Sequence, residues 1–301
     1  MDCDAVLIAG PTASGKSALA LRLAEQAHGA IINADSMQVY AEAPVLTAQP
    51  SAFERARVPH LLYGHVSAHD AYSAGRFAAD AARALAEVRA MGRLPIFVGG
   101  TGLYFMALTD GLADIPPVPA AVRAAARALA EEIGVEALHA RLMARDAKTA
   151  ARLRPHDTQR VLRAWEVLEA TGRPLADWQE TPSAPVLKGL RLARAVLDPP
   201  RGALRVRIAE RFAAMMEKGA LAEAMALKDL DPALPAAKLL GLGPLVALGE
   251  GRLARAAALE AAITATRQFA KRQVTWFRHR MAGWPRLDGS ESNIIASISP
   301  I

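Results

Sequence analysis

Residues 5–17 read AVLIAGPTASGKS, and the order of residue types in this stretch decides the fold. A short apolar run, residues 5–10 (AVLIAG), reads as a buried strand and runs into a glycine-rich loop, followed by Leu19, Leu21, Leu23 and Ala24 at helical spacing. The loop itself, Gly10-Pro11-Thr12-Ala13-Ser14-Gly15-Lys16-Ser17, matches G-x-x-x-x-G-K-[ST] between a strand and a helix. Glycines let such a loop curl so that successive N–H groups point inward, and the helix N-terminus adds its positive end. Lys16 supplies a mobile cation, and the Ser17 hydroxyl is a ligand for Mg²⁺. The motif calls for a ligand that carries a diphosphate and does not say which one.

The pattern continues outward from the loop. The helix over residues 16–28 is stopped at Gly29, and 30–34 (AIINA) is a second buried strand. Tyr72–Met91 reads as a helix with Phe77, Ala81, Leu85 and Val88 on one face. Leu94–Val98 then forms a strand ending at a second glycine turn, Gly99-Gly100-Thr101-Gly102. Strands alternating with helices give an α/β class: a parallel sheet built on the phosphate loop and flanked by helices. The style changes at Ile115-Pro116-Pro117-Val118-Pro119, a stiff spacer. Beyond it, helices are expected over Ala121–Ile133, Val135–Asp146 and Thr158–Thr171, with no convincing strand. Residues 113–185 therefore read as an all-helical insertion in a catalytic core made of 1–112 and 186–301. Leu190–Val196 returns as a strand, and helices follow over Arg201–Lys218, Leu221–Leu227 and Ala254–Arg280.

Composition narrows the class. The chain has 301 residues, 52% of them hydrophobic, enough for a large core and too apolar for a disordered chain. Its net charge of +6 is carried mainly by arginine, which suits a polyanionic partner but equally reflects codon preference in a GC-rich genome. A single cysteine, Cys3, excludes an internal disulfide and a cysteine-based zinc site. The acidic N-terminus does not read as a signal peptide, and no segment is long enough to span a bilayer, so a cytoplasmic, membrane-free protein is expected.

Asp35, just after AIINA, stands where a nucleotide hydrolase would place a metal-holding aspartate, but Asn33 breaks the apolar run that should precede it. From the residues alone it is either a functional carboxylate or the cap of a helix beginning at Ser36.

Beyond these motifs lie DSMQVY at 35–40, VGGTGLYF at 98–105 and TRQFAKRQVTWFR at 266–278. TAQP at 47–50, PHLL at 59–62, YSAGRF at 72–77, HDTQRVLRAWEV at 156–167 and RIAERFAAMMEKG at 207–219 follow the same order. Together with GPTASGKS, and across nearly the whole chain, they resemble the bacterial type of the tRNA dimethylallyltransferase family. The resemblance implies transfer of a dimethylallyl group from its diphosphate to N6 of the adenosine 3′ of the anticodon, with Mg²⁺ as cofactor. It assigns Asp35 as general base, Lys16 and Arg211 to the departing diphosphate, with Arg207 assisting, and Thr101 to the reaction channel. Residues Gly10, Pro11, Thr12, Ala13, Ser14, Gly15, Lys16 and Ser17 would hold the diphosphate, with Ser17 on the metal. Asp35, Ser36, Met37, Gln38 and Thr101 would meet the flipped-out target nucleotide. In the insertion, Arg123, Gln159, Arg160, Val161, Leu162 and Arg163 would contact the anticodon stem-loop of a tRNA bound by a monomeric enzyme. Arg267, Lys271, Arg272 and Arg278, interleaved with Phe269, Trp276 and Phe277, are either an RNA-facing surface or core aromatics with solvated cations opposite.

The chain departs from the family pattern in places. Gln49 replaces a lysine, Leu242 replaces a tyrosine after Gly241, and AEAPVL at 41–46 replaces a more polar stretch. The compact form carries no C-terminal zinc finger. Two related activities compete with the main reading: prenylation of a free adenine nucleotide, and small-molecule phosphorylation by a phosphate-loop kinase. A non-catalytic RNA-binding protein is a further alternative.

Overall fold

The protein is described here by a computed structural model covering residues 3–288. The outermost parts of the expected core segments, residues 1–2 and 289–301, lie outside the described residues. The chain divides into two units: residues up to Thr109 with those from Val186 onward, and Asp110–Pro185 between them.

The first unit begins with β1 (Ala5–Ala9), α1 (Lys16–Gln26), β2 (Gly29–Asn33), α2 (Ala52–Arg57), β3 (His60–Leu61), α3 (Ala74–Ala90), β4 (Leu94–Gly99) and α4 (Gly102–Thr109). The second unit holds α5 (Ala120–Ile133), α6 (Val135–Arg145), α7 (Ala147–Ala150), α8 (Thr158–Thr171) and α9 (Leu175–Gln179). The chain re-enters the first with β5 (Leu192–Leu197), α10 (Arg201–Glu217), α11 (Ala220–Ala226), α12 (Leu242–Gly249), α13 (Arg255–Arg280) and β6 (Arg286–Leu287).

The strands form one parallel sheet in the order β3-β2-β4-β1-β5-β6. β1 sits between β4 and β5, with Ile8 opposite Val98 on one side and Ala195 on the other. Such a strand is covered on both faces, which is why Ala5–Ala9 is apolar throughout and wholly buried. Val6, Ile8, Ile31, Ile96 and Val98 pack with Leu19 and Leu23 of α1 in one core cluster. The carboxyl ends of β1, β2, β4 and β5 lead into the phosphate loop, Asp35, the glycine turn and α10, respectively. Open α/β sheets place their ligands at this edge.

Two expectations need correcting. α1 ends at Gln26, and Gly29 is the first residue of β2, not a helix stop. His28 makes the turn with a left-handed backbone (φ 50°). A side chain at position 29 would come within 2.7 Å of Ile96 Cδ1, so strand packing explains that glycine. The short elements β3, β6, α2, α4, α7, α9 and α12 were not read from sequence, because each is too brief to establish a period.

In the second unit all the regular elements are helices. Val161, Ala164, Trp165 and Leu168 of α8 bury against Ala126, Leu138, Leu142 and Ala150. No helix among the described residues is long and apolar enough to cross a membrane.

Candidate active site

The phosphate loop is a backbone cradle. Ala13 and Gly15 both adopt left-handed conformations (φ 62° and 93°), which turn neighbouring amides toward one concavity. Gly15 precedes α1 without a side-chain cap, so the first-turn amides are left for a ligand. Arg207 of α10 steadies the loop by donating to the Ser14 carbonyl at 3.4 Å. Lys16 is buried, with its ammonium 3.4 Å from the Pro11 carbonyl. That burial pulls its pKa down to about 8, against the pull of Asp35 and with the push of Arg211.

Asp35 follows β2 and is also buried. The segment after it is a turn and not a helix, so Asp35 is no helix cap. Its Oδ1 accepts the Met37 N–H at 3.0 Å. Asn33 holds the Asp35 backbone on both sides: its Oδ1 accepts the Asp35 N–H at 2.9 Å, and its Nδ2 donates to the Asp35 carbonyl at 3.0 Å. Thr101 bridges to the same turn, accepting the Ser36 N–H at 2.9 Å and donating to Ser36 Oγ at 3.1 Å. Gln38 is buried and gives its amide hydrogens to the Thr47 and Ala48 carbonyls (3.0 and 2.7 Å).

The glycine turn after β4 admits close neighbours on two sides. A Cβ at Gly100 would fall 2.2 Å from Gln273 Nε2 and 3.0 Å from Asp35 Oδ2. One at Gly102 would fall 2.2 Å from the Trp276 ring. Gln273, on α13, bonds both the phosphate loop and this turn, accepting from Thr12 N–H at 2.9 Å and donating to the Gly100 carbonyl at 2.8 Å.

Part of this machinery lines one cleft; Ser36, Gly100, Thr101 and Gln273 are not among its lining residues. Its lining includes Thr12, Ala13, Lys16, Ser17 and Asp35, together with Arg211 of α10. Ile208, Phe212 and Met215 of α10, with Leu46, Leu240 and Phe269, form an apolar stretch of the lining, and Gln38, Thr47 and Thr266 add polar groups. Arg211 is pressed toward its neutral form by burial and held charged by Asp35. A cleft lined by both cations and hydrocarbon suits an amphiphile, a charged head joined to an apolar tail. For Mg²⁺, the described residues contain no cluster of three or more acidic, histidine or cysteine side chains. The Ser17 hydroxyl, in the cleft lining, is the protein oxygen that the phosphate-loop pattern offers to a magnesium ion.

Residues 38–280 match the IPP transferase family, and residues 3–63 match isopentenyl transferase. A tRNA dimethylallyltransferase from Azorhizobium caulinodans is 55% identical over 94% of this chain and 91% of its own length. The chain belongs to the IPP transferase family. A second tRNA dimethylallyltransferase, from a Bradyrhizobium species, is 54% identical over 93% of this chain and 92% of its own. The crystal structure of a tRNA isopentenylpyrophosphate transferase from Bacillus halodurans superposes with a TM-score of 0.65 at 32% identity, covering 94% of this chain and 89% of that one. A eukaryotic dimethylallyltransferase acting on tRNA gives 0.75 at 27% identity, covering 91% of this chain and 69% of that one.

The remaining residues singled out by the IPP transferase resemblance distribute unevenly. In the second unit, Gln159 and Arg160 are exposed on α8, while Val161 is fully buried and Leu162 packs against the helical core. Val161 thus supports the surface from below and does not present a side chain to a ligand. Burial lowers the Arg163 pKa, Glu166 raises it, and the nearby Arg123 charge lowers it again. The Arg123 Nε is buried without a hydrogen-bond partner. On α13, Phe277 is core, Phe269 lines the active-site cleft, and Arg267, Lys271 and Arg278 join Arg201 and Arg205 along a second, basic groove beside α10. The core reading holds for Phe277, and the cations lie along a groove on another face of the same helix.

Sequence reasoning missed Gln273, and it noted Asn33 only as an interruption. A polar residue in register with buried Ala270 and Phe277 on α13 was the available signal for Gln273. It also missed Glu223, whose carboxylate accepts the Val45 and Leu46 N–H groups, both at 2.8 Å, and so shapes the cleft wall at Leu46. Of the departures, Gln49 bonds the Tyr40 carbonyl at 2.7 Å, and Leu242 is buried at the start of α12.

Proposed function

We propose that this chain transfers a dimethylallyl group from dimethylallyl diphosphate to the exocyclic N6 of the adenosine next to the anticodon in tRNA. The observation that carries the reading is a cleft whose lining brings Lys16, Arg211 and phosphate-loop residues together with apolar side chains and Asp35. The loop amides, Lys16 and Arg211 hold the diphosphate and stabilise the charge it gains as the carbon–oxygen bond breaks. The wall of Ile208, Phe212, Met215 and Phe269 encloses the isoprenoid and keeps water from the allylic carbon. Magnesium, bound at Ser17, would neutralise further charge on the leaving group.

An exocyclic amine is a weak nucleophile because its lone pair is shared with the purine ring. As N6 bonds to the primary allylic carbon, Asp35 accepts one of its protons, so no cation accumulates on the base. Thr101 and Ser36, bonded to one another, hold the turn against which an extruded adenosine would rest. The exposed Arg160, with the paired Arg123 and Arg163, supplies phosphate contacts that a free nucleotide would not need. That feature, with an apolar wall where a kinase would need room for an acceptor, supports tRNA prenylation over the two rival activities.

The test is transfer of labelled dimethylallyl diphosphate to an unmodified tRNA transcript, with AMP as competitor. Label in the RNA that AMP does not suppress is the expected result. Label in AMP alone, or ATP consumption without any prenyl donor, would sink the reading.

A further inference from the structure

Gln273 joins two segments that the proposed reaction must hold apart at a fixed distance. It lies on α13, buried to 6% exposure, and its carboxamide is wedged between the phosphate loop and the glycine turn. Its Oε1 takes the Thr12 N–H (2.9 Å) and its Nε2 gives to the Gly100 carbonyl (2.8 Å), partners 261 and 173 residues away in sequence. Thr12 belongs to the cradle that lines the cleft. Gly100 approaches the Asp35 carboxylate so closely that its own Cβ would lie 3.0 Å from Oδ2. One side chain therefore spans from the element that holds the leaving group to the turn against which the base is set.

We propose that Gln273 is a positioning residue: it sets the spacing between the diphosphate cradle and Asp35, and through it the line from leaving oxygen to attacking nitrogen. The inference rests on the prenyl-transfer reading above. A primary amide suits the task because it accepts and donates in one plane and carries no charge. A glutamate would keep only the acceptor when ionised and would bring a second negative charge next to Asp35. A methionine of similar length would satisfy neither Thr12 nor Gly100, leaving a buried donor and acceptor unpaired. The Thr12 amide is spent on this brace and not on a ligand, so its loss need not weaken substrate binding. In-line displacement is sensitive to small errors of placement, so the chemical step is where the loss should appear.

The experiment uses the full chain, labelled dimethylallyl diphosphate and an unmodified tRNA transcript, and compares wild type with Gln273→Met and Gln273→Glu. For Gln273→Met, the single-turnover rate at saturating substrates should fall about 10- to 100-fold. The tRNA dissociation constant and KM should stay near wild type. For Gln273→Glu, the rate relative to wild type should climb as pH falls, because the protonated carboxyl again accepts from Thr12 and donates to Gly100. A saturating rate for folded Gln273→Met equal to wild type, or a loss confined to tRNA KM, overturns the proposal. So does a Gln273→Glu ratio that stays flat or falls toward acid, and this profile decides alone if the methionine variant does not fold. Failure of the wild-type chain to label tRNA overturns the function itself and the inference with it.

Discussion

Asn33 holds Asp35 by both of its backbone polar groups, accepting its N–H at 2.9 Å and donating to its carbonyl at 3.0 Å, from a position with no solvent exposure. The same Nδ2 donates to the Leu62 carbonyl at 2.9 Å. The residue that interrupts the apolar run before Asp35 is the one that orients it. Asn33→Leu should therefore lower stability, by about 1–3 kcal/mol for each buried group left without a partner, and lower the prenylation rate as well. Denaturant midpoints and single-turnover rates check this together. A variant as stable and as fast as wild type would show that the bracket is dispensable.

Asp35→Asn keeps an oxygen for the Met37 N–H and removes the proton acceptor. Transfer should slow by about 10²- to 10⁴-fold, the usual worth of a positioned base. Binding of tRNA, followed by filter retention, should change little. A rate near wild type would remove Asp35 from the chemistry.

Lys16 gives a pH dependence whose sign is fixed by its burial. In the folded, ligand-free chain its pKa sits at about 8, against 10.5 for an ordinary lysine. Between those values the unfolded chain binds more protons, so this group's cost to stability is present below about 8 and is relieved as pH rises toward 10.5. Diphosphate binding runs the other way. A bound anion restores the ammonium, so above about pH 8 binding takes up a proton and affinity falls as pH climbs. Calorimetry with inorganic diphosphate, in two buffers of different ionisation enthalpy, measures the uptake. Lys16→Met supplies the reference for the ligand's own titration; an equal proton uptake in that variant would contradict the assignment.

Gly102→Ala places a methyl group 2.2 Å from the indole of Trp276. Ring or turn must shift, at a cost of about 1–3 kcal/mol. The denaturant midpoint should drop, and Thr101, one residue away, should lose its alignment with Ser36, lowering activity further. An unchanged midpoint would mean that Trp276 yields freely.

In the second unit, Arg123→Ala and Arg163→Ala should each weaken tRNA binding and reduce the slope of log affinity against log salt by about one. Like charges this close gain from an anionic partner, and removing Arg123 should relieve Arg163 in the free protein. Unaltered salt slopes would mark the pair as structural.

The fold was legible because its deciding signals are local. A strand, a glycine loop and a helix in register leave little freedom, and the alternation that follows implies a parallel sheet. Lys16 could be named from a short motif, and Asp35, Thr101 and Arg211 only through the family resemblance of the segments that carry them. Gln273 could not be named this way, since its partners are a loop 261 residues earlier and a turn 173 residues earlier. On a helix wheel it reads as one polar residue misplaced among apolar ones. The Val161 assignment failed to distinguish support from surface for the same reason: a motif marks a segment, and only packing divides its faces.

By itself, then, the sequence determined the chemistry available: a diphosphate cradle, a carboxylate after the second strand, and arginine-rich helices. Backbone hydrogen bonding and side-chain period act over a few residues, so such features can be read along the chain. The tertiary structure alone decided which groups share the cleft, which carbonyls spend the Gln38 amide, and how Asn33 and Gln273 fix the distances between loops. Those are contacts between segments far apart in the chain, set by packing at the carboxyl edge of the sheet.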